Sequence, residues 1–235
     1  MTTRRKFLTT ASIGGAAALA TPAIVQAQST IKWRFQTYAG GALGEHVTKP
    51  VIDYINANSN GELQVELFYA DQIVPTGELF QALQRGTIDG VHSDDDSMAS
   101  PTPLRMFGGY FPFATKHILD VPVLFNQYGL KEIWEEEYAK VGVKWISAAG
   151  QDPCNFNTKK EITSVADLDG LRLYSFPTAG RFLAKFGVVP MNIPYEDAEV
   201  AVQTGELDGM AWSGITEDYT AVSYTHLTLP TKRIV

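Results

Sequence analysis

The sequence has very little cysteine and, beyond its first segment, no apolar run long enough to cross a bilayer. The single cysteine, Cys154, excludes an intramolecular disulfide, so a packed core has to stabilise the fold. The composition allows such a core, because 45% of the 235 residues are hydrophobic and 19% are charged. The lack of long apolar runs argues against direct insertion into a membrane.

The chain also lacks an excess of basic residues and the motifs of catalysis. Its 19 lysines and arginines are outnumbered by 26 aspartates and glutamates, and the net charge of −7 argues against nucleic acid as a partner. The four histidines do not follow metal-ligand spacing, and Cys154 has no signature of a nucleophile. We find no nucleophile elbow and no phosphate loop. We therefore expect no catalytic residue, no metal, no cofactor and no enzymatic activity.

The N-terminus carries the pattern of an export signal. Arg4 and Arg5 precede a modest apolar run over residues 11–20, and the Ala-x-Ala-like site at residues 25–27 follows it. This order predicts a twin-arginine signal peptide over residues 1–27 and a mature periplasmic protein that begins near Gln28. The alternative is a membrane anchor, which the short and weakly apolar run disfavours.

Alternating strand patterns and helical patterns follow one another along the mature chain. Residues 31–37, 63–69 and 88–92 read as strands, and helical spacing lies between them, which predicts a β-α-β-α-β unit. Residues 124–141 read as a helix and 143–148 as a strand. A second unit is predicted from strands at 171–174, 188–193 and 207–212 and helices at 178–186 and 196–203. The fold class is therefore α/β, with parallel or mixed sheets flanked by helices.

One internal echo supports two similar lobes. Residues 82–90 and residues 201–209 both read as a helix end, a glycine, a short turn and an Asp-Gly pair that opens a strand. The alternative is the common chemistry of helix-to-strand loops. We predict a first lobe over 28–148, a second lobe over 149–221, and a ligand cleft where the carboxyl ends of their strands face each other.

Several ordered motifs resemble solute-binding proteins of tripartite ATP-independent periplasmic (TRAP) transporters. The resemblance is carried by residues 59–63, 83–90, 158–173, 186–190 and 202–209. It implies a two-lobed periplasmic protein that binds a small organic acid, a carboxylate or a keto or aromatic acid, and delivers it to the membrane components of a TRAP transporter. The alternatives are the binding protein of an ATP-driven importer and, less favoured, a periplasmic enzyme.

The same resemblance points to candidate ligand-binding residues. The family usually has an arginine, which clamps the ligand carboxylate, at the position of Tyr174. Arg172 lies two residues earlier, on the same face of the predicted strand, and either replaces that arginine or points to solvent. Trp212 and Tyr38 match aromatic pocket positions of the family, although Ala211 stands where keto-acid-binding members have glutamate. The alternative for Trp212 is a plain core residue.

Two further candidates come from loops that follow strands. Asp95 is the centre of the acidic run at residues 93–97. This run either holds a cation or repels anions at the cleft, or it caps a helix, which is the interpretation that we favour. Asn155 follows Pro153 and Cys154, and its position allows it either to reach the cleft or to serve only as a turn residue.

The last residues differ in character from the rest of the chain. Residues 222–231 can be back-translated into a string that resembles a transposon-end adapter used to prepare sequencing libraries. We therefore expect residues 222–235 to be a non-native tail and the natural chain to continue past Ala221, so that the second lobe is incomplete. The alternative is an ordinary polar C-terminal strand.

Overall fold

The computed structural model describes residues 30–109, 111–151, 153–191, 193, 195–211 and 214. The predicted signal peptide, the predicted tail and Trp212 lie outside these residues. None of the helices within them has both the length and the apolar character that crossing a membrane requires.

The first sheet has three parallel strands in the order β2-β1-β3, formed by β1 (Ile31–Thr37), β2 (Leu63–Phe68) and β3 (Gly90–His92). Helix α1 (Lys49–Asn58) follows β1, and helix α2 (Leu79–Gln84) precedes β3. Asn56 fastens α1 to β2, since its side-chain amide exchanges two hydrogen bonds with the backbone of Val65. The predicted β-α-β-α-β unit is thus confirmed.

Two helices cover the core of this unit where the sequence predicted one. Helix α3 (Asp120–Gln127) and helix α4 (Leu130–Lys140) are separated at Gly129, which adopts a left-handed conformation with φ of 78°. Such a conformation interrupts a helix and suits glycine. Trp134 and Tyr138 of α4 pack into the core beside Phe80 and Ile88.

The strand predicted at residues 143–148 is absent from the described structure, and that prediction was wrong. Val143 and Trp145 pack against the core as the alternating pattern requires, whereas Ile146 is 71% exposed. No described strand pairs with this segment, and an alternating pattern forms a strand only where a neighbour accepts its backbone hydrogen bonds.

The second sheet is mixed, in the order β4-β7-β5-β6. Its strands are β4 (Phe156–Thr158), β5 (Arg172–Ser175), β6 (Val189–Met191) and β7 (Gly209–Ala211). The strands β5, β6 and β7 are parallel, and β4, which the sequence did not predict, runs antiparallel to β7. Helix α5 (Pro177–Leu183) follows β5, and helix α6 (Tyr195–Thr204) precedes β7. The limits of the two lobes stay a prediction.

The internal echo corresponds to one arrangement that occurs in both sheets. In the first, Asp89 accepts from the backbone N–H of Arg34, whose guanidinium donates to the carbonyl of Gly86. In the second, Asp208 accepts from the backbone N–H of Arg172, whose guanidinium donates to the carbonyl of Gly205. In each case an arginine of a strand binds the turn that leads from a helix into the neighbouring strand.

Candidate functional site

Tyr38 and His92 lie at the carboxyl ends of the two strands β1 and β3. Their rings meet edge to face, with centroids 5.6 Å apart. The Nδ1 atom of His92 lies 3.0 Å from the hydroxyl of Thr37 and 2.9 Å from that of Thr48. Burial lowers the pKa of His92, which favours the neutral imidazole at this end of the sheet.

Residues 93–97, which we call the acidic turn, follow β3 directly. Asp95 is buried and accepts hydrogen bonds from Trp134 Nε1 at 3.1 Å and from the Tyr138 hydroxyl at 2.5 Å. Burial raises the pKa of Asp95, and these two donors oppose the rise. Both carboxylate oxygens of Asp95 therefore have neutral donors from α4, which gives this residue a structural role.

Asp96 connects the acidic turn to the unit formed by the second sheet and its helices α5 and α6. Its carboxylate is fully buried and accepts from Arg105 Nε at 3.1 Å. The other oxygen accepts from the backbone N–H of Thr178, in the first turn of α5, at 2.7 Å. The acidic turn thus lies where the two sheets' units meet.

Asp94 is the aspartate of the turn whose hydrogen bonding is incomplete. Its Oδ1 accepts from the backbone N–H groups of Asp96 and Ser97, at 3.0 and 2.8 Å. These bonds hold a turn, and the predicted helix cap was wrong, because no helix begins at these described residues. Its Oδ2 is buried and has no hydrogen-bond partner among the described residues, and the same holds for the Ser97 hydroxyl. Burial raises the pKa of the Asp94 carboxyl to about 6, and the nearby side chain and backbone N–H of Ser97 oppose this rise.

Two glycines allow the loop at residues 107–109 to lie against the acidic turn. A methyl group at Gly108 would overlap the carboxylate of Asp95. One at Gly109 would lie 2.9 Å from both Asp94 Oδ1 and Asp96 Cβ. The backbone N–H of Asp95 donates to the carbonyl of Gly108, which brings the two backbones close together. This close approach requires residues without side chains at both glycine positions.

In the second sheet, the side chains of Arg172 and Tyr174 contact neighbouring residues of the same unit. The Arg172 guanidinium donates to both oxygens of Asp208 at 2.9 and 2.8 Å, and it lowers the pKa of Asp208 to about 2. Arg172 begins β5, whereas ligands of parallel sheets bind beyond the carboxyl ends of strands. Tyr174 is 7% exposed and packs against Val202 and Met210. Arg172 therefore has a local partner that competes with any role as an anion clamp.

Asn155 and the described cavity add little to the candidate site. The Asn155 side chain donates to the carbonyl of Pro153 at 3.2 Å, which is the contact of a turn residue. Within the described ranges, no group of His, Cys, Asp and Glu residues could hold a metal ion. An open cavity of about 370 Å³ contains none of the predicted site residues. It is lined by Phe80, Gln81, Gln84, Arg85, Ala99 and Pro101.

A family model identifies the chain. Residues 41–221 match the model described as bacterial extracellular solute-binding protein, family 7. The protein belongs to this family. Its members act in transport outside the cytoplasm, and the two described sheets with their flanking helices match the two-lobed fold of TRAP periplasmic solute-binding proteins.

Three similar proteins show how this chain compares with known solute-binding proteins. A TRAP periplasmic solute-binding protein from Chromohalobacter salexigens, solved with bound (S)-(+)-2-amino-1-propanol, is 67% identical with a TM-score of 0.81, over 85% of this chain and 63% of the other. One from Pseudoalteromonas atlantica, with bound sodium and pyruvate, is 22% identical with a TM-score of 0.73, over 84% and 61% of the two chains. The monocarboxylate 2-oxoacid-binding periplasmic protein of Nostoc sp. is 27% identical over 92% of this chain and 61% of that protein.

The chain spans about three fifths of the length of these three relatives. Sequence reasoning found the acidic turn but selected Asp95, whereas the structure leaves an unpartnered carboxylate oxygen on Asp94. No signal in the sequence separates three consecutive aspartates, because their partners come from α4, α5 and residue 105. The pairing of His92 with Thr37 and Thr48 was also missed, since it depends on the register between β1 and β3.

Proposed function

We propose that this protein is the periplasmic solute-binding component of a TRAP transporter. It captures a small polar solute between two lobes and delivers it to the membrane components of the transporter. The observation that carries the proposal is the match of residues 41–221 to the family model. Two sheets joined at the acidic turn, through Asp96 and Thr178, support a cleft at this junction.

The first candidate ligand is a small organic acid. The Nostoc sp. relative, which is named for binding monocarboxylate 2-oxoacids, supports this class. In this proposal Tyr38, Tyr174 and Trp212 contribute to the walls of the cleft. Arg172 is a weaker candidate for the anion clamp, because Asp208 already binds its guanidinium.

The second candidate ligand is a small amino alcohol. The observation that favours it is the ligand bound to the Chromohalobacter salexigens relative, which is 67% identical to this chain. That ligand has an amine and no carboxylate, so it needs no arginine clamp. The presence of Tyr174 where the family usually has arginine agrees with such a ligand.

A binding screen of the full-length protein tests the proposed function. We expect small organic acids or small amino alcohols to raise the melting temperature, because a ligand that binds only the folded state stabilises it. Isothermal titration calorimetry then gives the affinity of each hit. A full-length, folded protein that binds no member of either class would contradict the proposal.

The genes beside this one distinguish a TRAP transporter from an ATP-driven importer. A TRAP system requires genes for two membrane proteins, and an ATP-driven importer requires a gene for an ATPase. We expect the first arrangement. An adjacent ATPase gene together with the absence of the two membrane-protein genes would contradict the assignment to a TRAP transporter, while leaving solute binding intact.

A further inference from the structure

The acidic turn contains two buried oxygen atoms, Asp94 Oδ2 and Ser97 Oγ, that make no hydrogen bond of ordinary geometry with the described residues, although the Ser97 side chain lies near enough to the Asp94 carboxyl to favour its ionised form. Both belong to the same short turn, and Asp94 Oδ1 already holds the backbone of that turn. A buried carboxylate oxygen without a donor is costly, because the hydration that it loses is not replaced. A donor from outside the described residues would therefore stabilise this arrangement.

The other two aspartates of the turn have no such capacity. Asp95 accepts from Trp134 and Tyr138. Asp96 accepts from Arg105 and from the backbone of Thr178. The free acceptor capacity of the turn therefore lies on Asp94, together with the hydroxyl of Ser97.

The location of the turn suits contact with a bound solute. It begins directly after β3, at the end of the parallel sheet where ligands of α/β proteins bind. The bond from Thr178 to Asp96 places the second sheet's unit beside it. A solute held between the two units therefore has the acidic turn as a neighbour.

The charge of the turn favours a cation over an anion. Among the described residues, the three consecutive carboxylates of the turn have one guanidinium as a hydrogen-bond partner, that of Arg105. A carboxylate ligand would be repelled here, and an ammonium would be attracted. A metal ion is a poorer match, since the described residues contain no group of three His, Cys, Asp or Glu that could hold one.

We propose that Asp94 Oδ2 and Ser97 Oγ accept hydrogen bonds from the primary ammonium group of the solute. An ammonium has three N–H donors, so it can satisfy both oxygens and keep one donor for another partner. This assignment rests on the proposed solute-binding function and makes small primary amines, including amino alcohols, the preferred ligand class.

Calorimetry on the full-length protein with three matched probes tests this assignment. The probes are (S)-2-amino-1-propanol, (S)-1,2-propanediol, which replaces the amine by a hydroxyl, and (S)-lactate, which is an anion of similar size. We expect the amino alcohol to bind at least tenfold more tightly than either other probe. The substitution Asp94→Asn should weaken its binding at least tenfold, because it removes the charge while keeping an acceptor for the amides of Asp96 and Ser97.

The matched control is Asp53→Asn, which removes an exposed carboxylate that pairs with Lys49. It should leave the affinity for the amino alcohol unchanged. If Asp94→Asn does not fold, Ser97→Ala takes its place, with an expected loss of about threefold or more.

Three outcomes would overturn the ammonium assignment. The first is unchanged affinity in Asp94→Asn, or in Ser97→Ala where the first variant is unfolded. The second is a wild-type protein that binds (S)-lactate or other organic acids and no primary amine, which leaves the proposed function standing. The third is a folded wild-type protein that binds neither acids nor amines, which contradicts the proposed function itself.

Discussion

At the scale of single residues, Asp94 couples the protein's stability to pH. Burial raises the pKa of its carboxyl from 3.8 to about 6. The native state therefore keeps the proton to higher pH than the unfolded state, and the contribution of Asp94 to stability falls as the pH rises from about 4 to about 6. An ionised Asp94 therefore lowers the stability of the ligand-free protein, which agrees with a site where a bound cation neutralises this carboxylate.

The variant Asp94→Asn removes this titration. Relative to the wild type, we expect its free energy of unfolding to increase between pH 4 and pH 7 by on the order of 2–3 kcal/mol, which corresponds to a pKa difference of about two units. Urea unfolding of both proteins across this range, without ligand, measures the difference. Parallel pH profiles for the two proteins would show that Asp94 is not the titrating group.

Arg172 is a second residue whose role can be separated from ligand binding. Since its guanidinium binds Asp208 and the carbonyl of Gly205, Arg172→Ala should lower the stability only slightly, because the pair is partly exposed and screened by solvent. The affinity for ligand should not change.

The matched variant for Arg172→Ala is Arg34→Ala in the first sheet. Its guanidinium makes the corresponding contacts with Asp89 and Gly86, so a similar small loss of stability is expected. A tenfold loss of affinity in Arg172→Ala alone, measured by calorimetry, would instead restore Arg172 as the anion clamp.

At the scale of elements, the Asp-Gly pair that opens a strand in both sheets shows why two positions require glycine. Gly90 begins β3 and Gly209 begins β7, and in both a side chain would overlap a neighbour. At Gly90 the obstacle is the ring of Phe35, which has some freedom to move. At Gly209 it is the carbonyl oxygen of Asn157 on the paired strand β4. The glycine is needed because neighbouring groups occupy the space of a Cβ atom.

Alanine substitutions at these two glycines should therefore differ in cost. We expect Gly90→Ala to destabilise the protein by about 1–3 kcal/mol and Gly209→Ala by more, since backbone yields less readily than a side chain. Gly77→Ala, where no atom lies within 4 Å of the added methyl group, is the control and should stay within about 0.5 kcal/mol. Denaturant unfolding ranks the three variants, and an equal cost at Gly77 and Gly209 would contradict the steric explanation.

The elements also mark the limit of prediction from the sequence. Periodicity located β1, β2, β5 and the helices around them, because the alternation and the helical spacing of these segments are local features of the sequence. It failed at β4, which has three residues and forms only by pairing with β7. It failed again at residues 143–148, which have the correct alternation and no described partner strand. Strand formation depends on a neighbour that local patterns do not contain.

At the scale of the whole molecule, the buried bond from Thr178 to Asp96 connects the two sheets' units. Asp96→Ala would leave Arg105 and the Thr178 amide without this acceptor, so we expect a loss of about 2–4 kcal/mol. Small-angle scattering of the full-length protein should show a larger radius of gyration, since the units would be less closely held. Unchanged scattering and stability would mean that other contacts fix the two units.

The sequence predicted where the candidate site lies, but not the long-range contacts within it. The sequence located the acidic turn, Tyr38 and Tyr174 through strand ends and family resemblance. It could not reveal that Trp134 and Tyr138 bind Asp95, or that Thr178 binds Asp96, because the partners lie 39 to 82 residues away in the chain. Consequently the sequence identified the region and not the oxygen atom that is left without a partner.

The single cysteine has a practical consequence for following this protein at work. Cys154 is exposed and lies in the loop just before β4, in the second sheet's unit. Because the sequence contains no other thiol, a maleimide fluorophore attached to this chain labels one defined position without any substitution. The emission of such a dye, recorded while solute is added, would make a protein that has this single thiol its own optical sensor of solute capture.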